Sequence, residues 1–222
     1  MRPVTYTFAT ITQVEICATN ATAASGASLV LNGGFSNYAS INGAGYAPRV
    51  ALPGIARPVA IYCTGNISTS TFSITGFDIR GIGVSTTFAG PTGTAIPTKT
   101  TQEFAVVTGV SLGNTLASSP FTVGFGPSGS TNWVTSDMYP APFAMTVAVM
   151  PGATSGPITI QDTPDDANAA APTNIFNHST LATVTTNTES NYAFPARFVR
   201  AILTATSSAT GAGSVVFIQA GS

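Results

Sequence analysis

The residues able to do chemistry are few. The chain has one histidine, His178, inside the stretch IFNHSTL. A Ser-His-Asp hydrolase would have to recruit it as the general base. Ser179 follows it and Asp165 and Asp166 precede it, but neighbours in sequence do not make triad geometry. The G-x-S-x-G turn that exposes a nucleophilic serine does not occur. His178 therefore reads as a local hydrogen-bonding residue at a turn or helix start.

The stretch QDTPDDAN gathers Asp162, Asp165 and Asp166, the one carboxylate cluster. Three carboxylates with nearby carbonyls could ligate calcium. The plainer reading is a solvated turn, where Asp and Pro are favoured for local reasons. A glycosidase needs two carboxylates facing one bond, and Asp78, Glu103, Asp137 and Glu189 cannot be paired by spacing. The glycine-rich GIG at Gly81 to Gly83 lacks the lysine and following helix of a phosphate loop. No catalytic, cofactor-binding or metal-ligating residue is assigned, and the chain is not expected to be an enzyme.

Two cysteines, Cys17 and Cys63, are too few for a disulfide framework or a zinc site. Both stand in strand-like surroundings, VEICAT and AIYCTG. They read as buried thiols acting as small hydrophobes, with a single bridge between two strands as the alternative. Trp133, Tyr139 and Phe143 fall close together in NWVTSDMYPAPF. Exposed, they would make a stacking platform for a sugar; buried, they would fill a core, which is the expected outcome.

The elements that must hold these residues are strands. Among 222 residues there are 7 Lys and Arg against 8 Asp and Glu, 7% charged, with 44% hydrophobic; soluble domains average about a quarter charged. Low charge with high hydrophobicity excludes a disordered chain. The scattered cations form no stripe that could track phosphates, so no nucleic-acid partner is expected. No apolar run approaches the roughly 20 residues of a membrane-spanning helix. The N-terminal stretch is broken by threonines and by Gln13 and Glu15, and reads as a first strand, not a signal peptide. So sparsely charged a surface would associate unless it met other protein.

Gly (22) and Pro (15) recur at short intervals with Thr and Val between them, and no stretch shows a capped helical period. That pattern predicts an all-β protein, built as two β-sandwich domains, Ig-like or jelly-roll-like, with little helix. The best short helix candidates are Asn177–Val184 and Asp165–Ala171. The uncharged FGPSGSTNW marks a boundary, giving an N-terminal domain of residues 1–127 and a C-terminal domain of residues 128–222. Residues 20–56 read as an irregular loop, or as an arm lying on a neighbouring molecule. The closing stretch RFVRAILTATSSATGAGSVVFIQAG reads as a hairpin of two strands, Arg197–Thr206 and Ser214–Gln219. Their apolar residues come in blocks, as in strands covered on both faces, so the second face needs another sheet or another chain over it.

Two stretches also resemble virion structural proteins of tailed bacteriophages. In the first, residues 57–126, the matching motifs are Thr64-Gly65-Asn66-Ile67-Ser68, Phe72-Ser73-Ile74-Thr75-Gly76-Phe77-Asp78, Gly90-Pro91 and Phe104-Ala105-Val106-Val107-Thr108-Gly109-Val110. In the second, residues 131–221, they are Pro142-Phe143, Asp165-Asp166, Phe176-Asn177-His178, Thr180-Leu181-Ala182, Asn191-Tyr192-Ala193-Phe194-Pro195, Arg200 and Ile218-Gln219-Ala220-Gly221. Residues 1–56 lie outside the likeness. Asp165-Asp166 is followed by Ala where the family has Pro.

The resemblance implies a head decoration (cement) or minor capsid protein located in the virion. Its partners would be the major capsid protein and copies of itself, with no cofactor, no nucleic acid and no membrane. The alternatives are a tail or collar protein, or a carbohydrate-binding adsorption module whose partner is a host surface glycan.

Overall fold

The computed structural model describes residues 3–20, 26–34, 36–37, 49–52, 54–93, 97–114, 119–139, 143–153, 156–205 and 211–219. Among them the protein is all-β and β-sandwich-like, with antiparallel sheets and no helix. The chain divides into two compact units, one of Ile11–Gly126 and one of Met1–Thr10 with Pro127–Ser222. The expected domain 1–127 therefore loses its first strand to the other unit. Strand β1 (Val4–Phe8) pairs along its whole length with the last strand of the chain, β18 (Gly213–Gln219). The reason is alternation: Phe8 is buried while Thr5 and Thr7 are exposed, so β1 offers one apolar face to a sheet.

The unit Ile11–Gly126 has two sheets. One runs β2 (Cys17–Asn20), β10 (Phe121–Phe125), β5 (Ile55–Cys63) and β8 (Thr98–Phe104). The other runs β3 (Ser36–Asn37), β4 (Arg49–Ala51), β9 (Val106–Leu112), β6 (Thr71–Phe77) and β7 (Gly83–Ala89). Their inner faces share one cluster in which Val59, Ile61 and Val123 meet Phe72, Ile74 and Val110. Phe72 stacks edge-on against Phe121, with centroids 5.3 Å apart. Each such ring removed from water contributes about 1.5–3 kcal/mol.

The strand-like run from Gln102 to Val107 is divided between two strands. The chain breaks at Ala105, whose N–H donates to Phe77 O, and β8 and β9 go to different sheets. Pro58 has no N–H for the ladder, and the β5–β8 register shifts between Pro58 and Ala60, where Val59 N donates to Thr100 Oγ1 instead. About half of the arm expected at 20–56, residues 21–25, 35, 38–48 and 53, lies outside the described residues. Its described parts belong to this unit's own fold. Leu29 and Leu31 lie in the core, Ser28 bridges to Ser111, and β4 pairs with β9.

The other unit also has two sheets. The first runs β1, β18, β13 (Met145–Pro151) and β16 (Thr188–Tyr192). The second runs β15 (Phe176–Asn177), β14 (Ile158–Thr163), β17 (Phe198–Leu203) and β11 (Gly129–Thr131), and the short β12 (Val134–Thr135) also pairs with β17. The two closing strands are thus not a hairpin; β17 and β18 lie in different sheets.

Period-two alternation sends Val199, Ala201 and Leu203 of β17, and Val215 and Phe217 of β18, into the core. The second face of β18 looks outward, and Ile218 is 41% exposed. Neither short helix forms. Asp166 O accepts from Ala169 N and Ala170 N in a single turn. Between Asn177 and Val184, Thr183 adopts φ 59°, a left-handed conformation that stops a helix and strains a β-branched residue.

Candidate functional site

Strands β15 and β16 are the outermost strands of their sheets, and an open cleft of about 380 Å³ lies beside them. Asp162 reaches it from β14. Ile158 and Ile160 point into the core, and the same alternation carries Asp162, two residues on, to the rim of that face. His178 comes directly after β15, and Ser190 and Tyr192 are consecutive inward positions of β16, opposite Val147 and Met145. Phe194 follows β16 on the far wall and is 83% exposed.

These side chains are bonded to one another. His178 Nδ1 accepts from Thr180 N at 3.2 Å and Leu181 N at 3.3 Å, which places the ring hydrogen on Nε2, 3.3 Å from Asn191 O. The imidazole meets the Tyr192 ring edge-on with centroids 4.6 Å apart. Tyr192 Oη donates to Asp162 Oδ1 at 3.2 Å, and Thr180 Oγ1 pairs with Ser190 Oγ at 2.7 Å. Burial pushes the Asp162 carboxyl above its ordinary value, against the opposing pull of the Tyr192 hydrogen bond and His178. Burial, with Asp162 beside it, likewise raises the Tyr192 hydroxyl.

His178 bonds at a turn, as the sequence suggested, but the sequence did not place it beside Asp162 and Tyr192. The available signal was an acid in register with two buried isoleucines. Among the described residues Asp162 is the one carboxylate lining the cleft, where most glycosidases place two.

The three clustered aspartates have separate partners. Asp165 accepts from Thr173 N at 2.7 Å, Asn174 N at 2.8 Å and Asn174 Nδ2 at 3.0 Å. These donors, Asn174 foremost, hold its carboxyl down at about 2. Asp166 pairs with Arg197 at 3.1 Å. Among the described residues no three His, Cys, Asp or Glu side chains come together as a metal site.

Cys17 and Cys63 are free thiols opposite Val123 and Phe121, on the two flanks of β10. Burial pushes the Cys17 thiol up to about 12, while Cys63 is half-buried and donates to Gly65 O. The three aromatics do not fill the core as expected. Trp133 lies 4.4 Å under the Arg200 guanidinium, Phe143 is half-buried, and Tyr139 is 93% exposed.

A second polar cluster, in the unit Ile11–Gly126, left no mark in the residue pattern. Glu15 and Arg57 are 2% and 1% exposed. Glu15 accepts from Thr12 N through Oε1 and from Phe125 N through Oε2 at 3.2 Å, and Arg57 donates to Gly126 O at 3.2 Å. Burial lowers the Arg57 guanidinium to about 10, opposed by the charges of Glu15 and Glu103. Close approach explains two glycines. A β-carbon on Gly124 would stand 2.4 Å from Glu15 Oε2, and one on Gly33 would stand 2.2 Å from the Glu15 main chain. No family model, curated protein or solved structure matches the chain.

Proposed function

We propose that this chain is a structural component of a bacteriophage particle, a capsid decoration or minor capsid protein. It attaches to the major capsid protein and to copies of itself through uncharged sheet surface. The observation that carries the reading is the outer face of the sheet β1-β18-β13-β16. One row across it runs Thr5, Val216, Ala148 and Glu189; the next runs Ile218, Thr146 and Asn191; a third runs Thr7, Ser214 and Met150. Glu189 is the one acidic or basic side chain among these residues. Depletion of charge with retained apolar area is the composition of an interface centre, not of a freely solvated face. The resemblance of residues 57–126 and 131–221 to virion proteins supports the same reading.

The test is co-sedimentation of the purified protein with empty phage shells. Binding should survive about 0.5 M NaCl, because screening weakens ionic contacts and leaves apolar ones intact. Ile218→Lys should abolish binding without unfolding the protein, since Ile218 is already 41% exposed. A wild-type protein that stays monomeric and ignores the shells overturns the proposal.

The exposure of Tyr139 favours a second reading, an adsorption module that stacks host glycan on this ring. It predicts retention on a glycan surface that Tyr139→Ala removes. A tail or collar position would use the same uncharged surface, and imaging of the particle separates it from the head.

A further inference from the structure

We propose that the cleft beside β15 and β16 binds an uncharged sugar, stacked on Phe194 and held by the free oxygen of Asp162. This site differs from the Tyr139 platform and does not depend on where the protein sits in a particle.

Three features define the ligand. First, Phe194 is 83% exposed although it forms a wall of the cleft. A large ring left in water beside a polar hollow offers a flat apolar face, the complement of the C–H face of a pyranose. Second, the floor is polar and already fixed. The bonds among His178, Thr180, Ser190 and Tyr192 hold these side chains before any ligand arrives, which lowers the ordering cost of binding. Third, Asp162 uses Oδ1 for Tyr192, and Oδ2 has no hydrogen-bond partner among the described residues. A half-buried carboxylate oxygen open to a cleft is a strong acceptor for a hydroxyl donor.

The lining also says what is excluded. Among the described residues no Lys or Arg lines the cleft, so a phosphate, sulfate or acidic sugar would face the like charge of Asp162 with no side-chain cation of Lys or Arg to offset it. A purely apolar ligand would leave that carboxylate desolvated and unpaired. A neutral, hydroxyl-rich ring satisfies both requirements. Among the described residues the lining offers one carboxylate, so the proposal is of binding and assigns no cleavage step.

The experiment is a heteronuclear NMR titration of the full chain with maltotetraose, cellotetraose and diacetylchitobiose, and with sialyllactose as the acidic control. Shifts are expected at Ser179, Ser190 and Phe194 for at least one neutral sugar and none for sialyllactose. Glucose and N-acetylglucosamine titrated in parallel distinguish a free monosaccharide ligand from a chain end or polymer. Phe194→Ala should weaken binding about tenfold or more, the loss of one stacking ring. Asp162→Asn, which keeps an oxygen for Tyr192 Oη, should weaken it similarly with an unchanged amide spectrum elsewhere. Shell co-sedimentation should be unaffected by either substitution. The proposal is overturned if no neutral sugar shifts these residues, if the acidic sugar binds as well, if the shifts centre on Tyr139, or if Phe194→Ala binds as tightly as the wild type.

Discussion

Glu15 in the unit Ile11–Gly126 and Asp162 in the other unit are both carboxylates drawn out of water, in different circumstances. Glu15 is 2% exposed and has both oxygens on main-chain N–H groups, with Gly124 and Gly33 providing the room. Asp162 is half-buried and has one oxygen on Tyr192 and the other open to a cleft. A carboxylate whose two oxygens hold backbone in the interior is a fastening: it ties residue 12 to residue 125 and, at 2% exposure, is closed to a ligand. One with an unclaimed oxygen can receive a ligand. In a chain with 8 Asp and Glu among 222 residues, using one of them as an internal fastening reflects the high cost of leaving buried N–H groups unpaired.

The units also differ in continuity, and the largest expected effect tests this. The unit holding the cleft uses both ends of the described chain, with β18 hydrogen-bonded to β1 on one side and β13 on the other. Truncation after Ser208 removes the strand between them and strips the ladder from both. The loss should exceed the roughly 5–15 kcal/mol that stabilises a domain. The truncated chain should lose cooperative melting and the chemical shifts of the cleft residues. A soluble truncated chain with an unchanged β-sheet circular dichroism spectrum would show that β18 is dispensable and that the unit is misdescribed.

The contrast between the carboxylates is tested next. Glu15→Ala orphans Thr12 N and Phe125 N and removes one of the two carboxylate charges, Glu103 being the other, that favour the buried Arg57 guanidinium. Two main-chain donors left unpaired cost about 2–6 kcal/mol together. His178→Ala removes the acceptor of Thr180 N and Leu181 N at the rim, where water can partly replace it, and should cost about 1–3 kcal/mol. Urea midpoints of the two variants against the wild type decide it. If His178→Ala costs as much as Glu15→Ala, the cleft is as integral to the fold as the fastening, and the contrast fails.

Much of the strand content was legible from alternation and turn residues. The first strand expected in the N-terminal stretch is there as Val4–Phe8, and the closing strand expected at Ser214–Gln219 is there as Gly213–Gln219. Pairing was less legible. β1 alternates cleanly, but nothing local says that its partner is β18, more than 200 residues on, because cross-strand pairing is fixed by the folded sheet as a whole. Ala105 illustrates the same limit, since an apolar residue inside an apolar run gives no sign that the backbone turns between two sheets. The cleft was legible only in fragments. His178 was visible as a turn residue and Asp162 as an acid, but Tyr192 reaches Asp162 across 30 positions. The helix expected at Asn177–Val184 failed for a local reason, the left-handed Thr183. The aromatic core expected around Trp133 failed because Arg200 covers that ring from the outer side.

The smallest expected effect divides the aspartates by sign. Donors hold the Asp165 carboxyl at about 2 in the folded chain, below its ordinary unfolded value of about 3.9. Its contribution to stability is therefore present above that unfolded value and is lost as the pH falls towards about 2. Asp162 is shifted the other way, chiefly by burial, so its ionised form disfavours the fold and stability declines as the pH rises through its folded value. Asp165→Asn should then lower the urea midpoint near neutral pH, while Asp162→Asn should hold or raise it. Both differences should shrink as the pH is brought to about 2, where the carboxyls being replaced are becoming neutral. Two variants that shift the midpoint equally and in one direction at neutral pH would mean that Asp162 is as well satisfied inside the protein as Asp165. No oxygen would then be left over for a ligand.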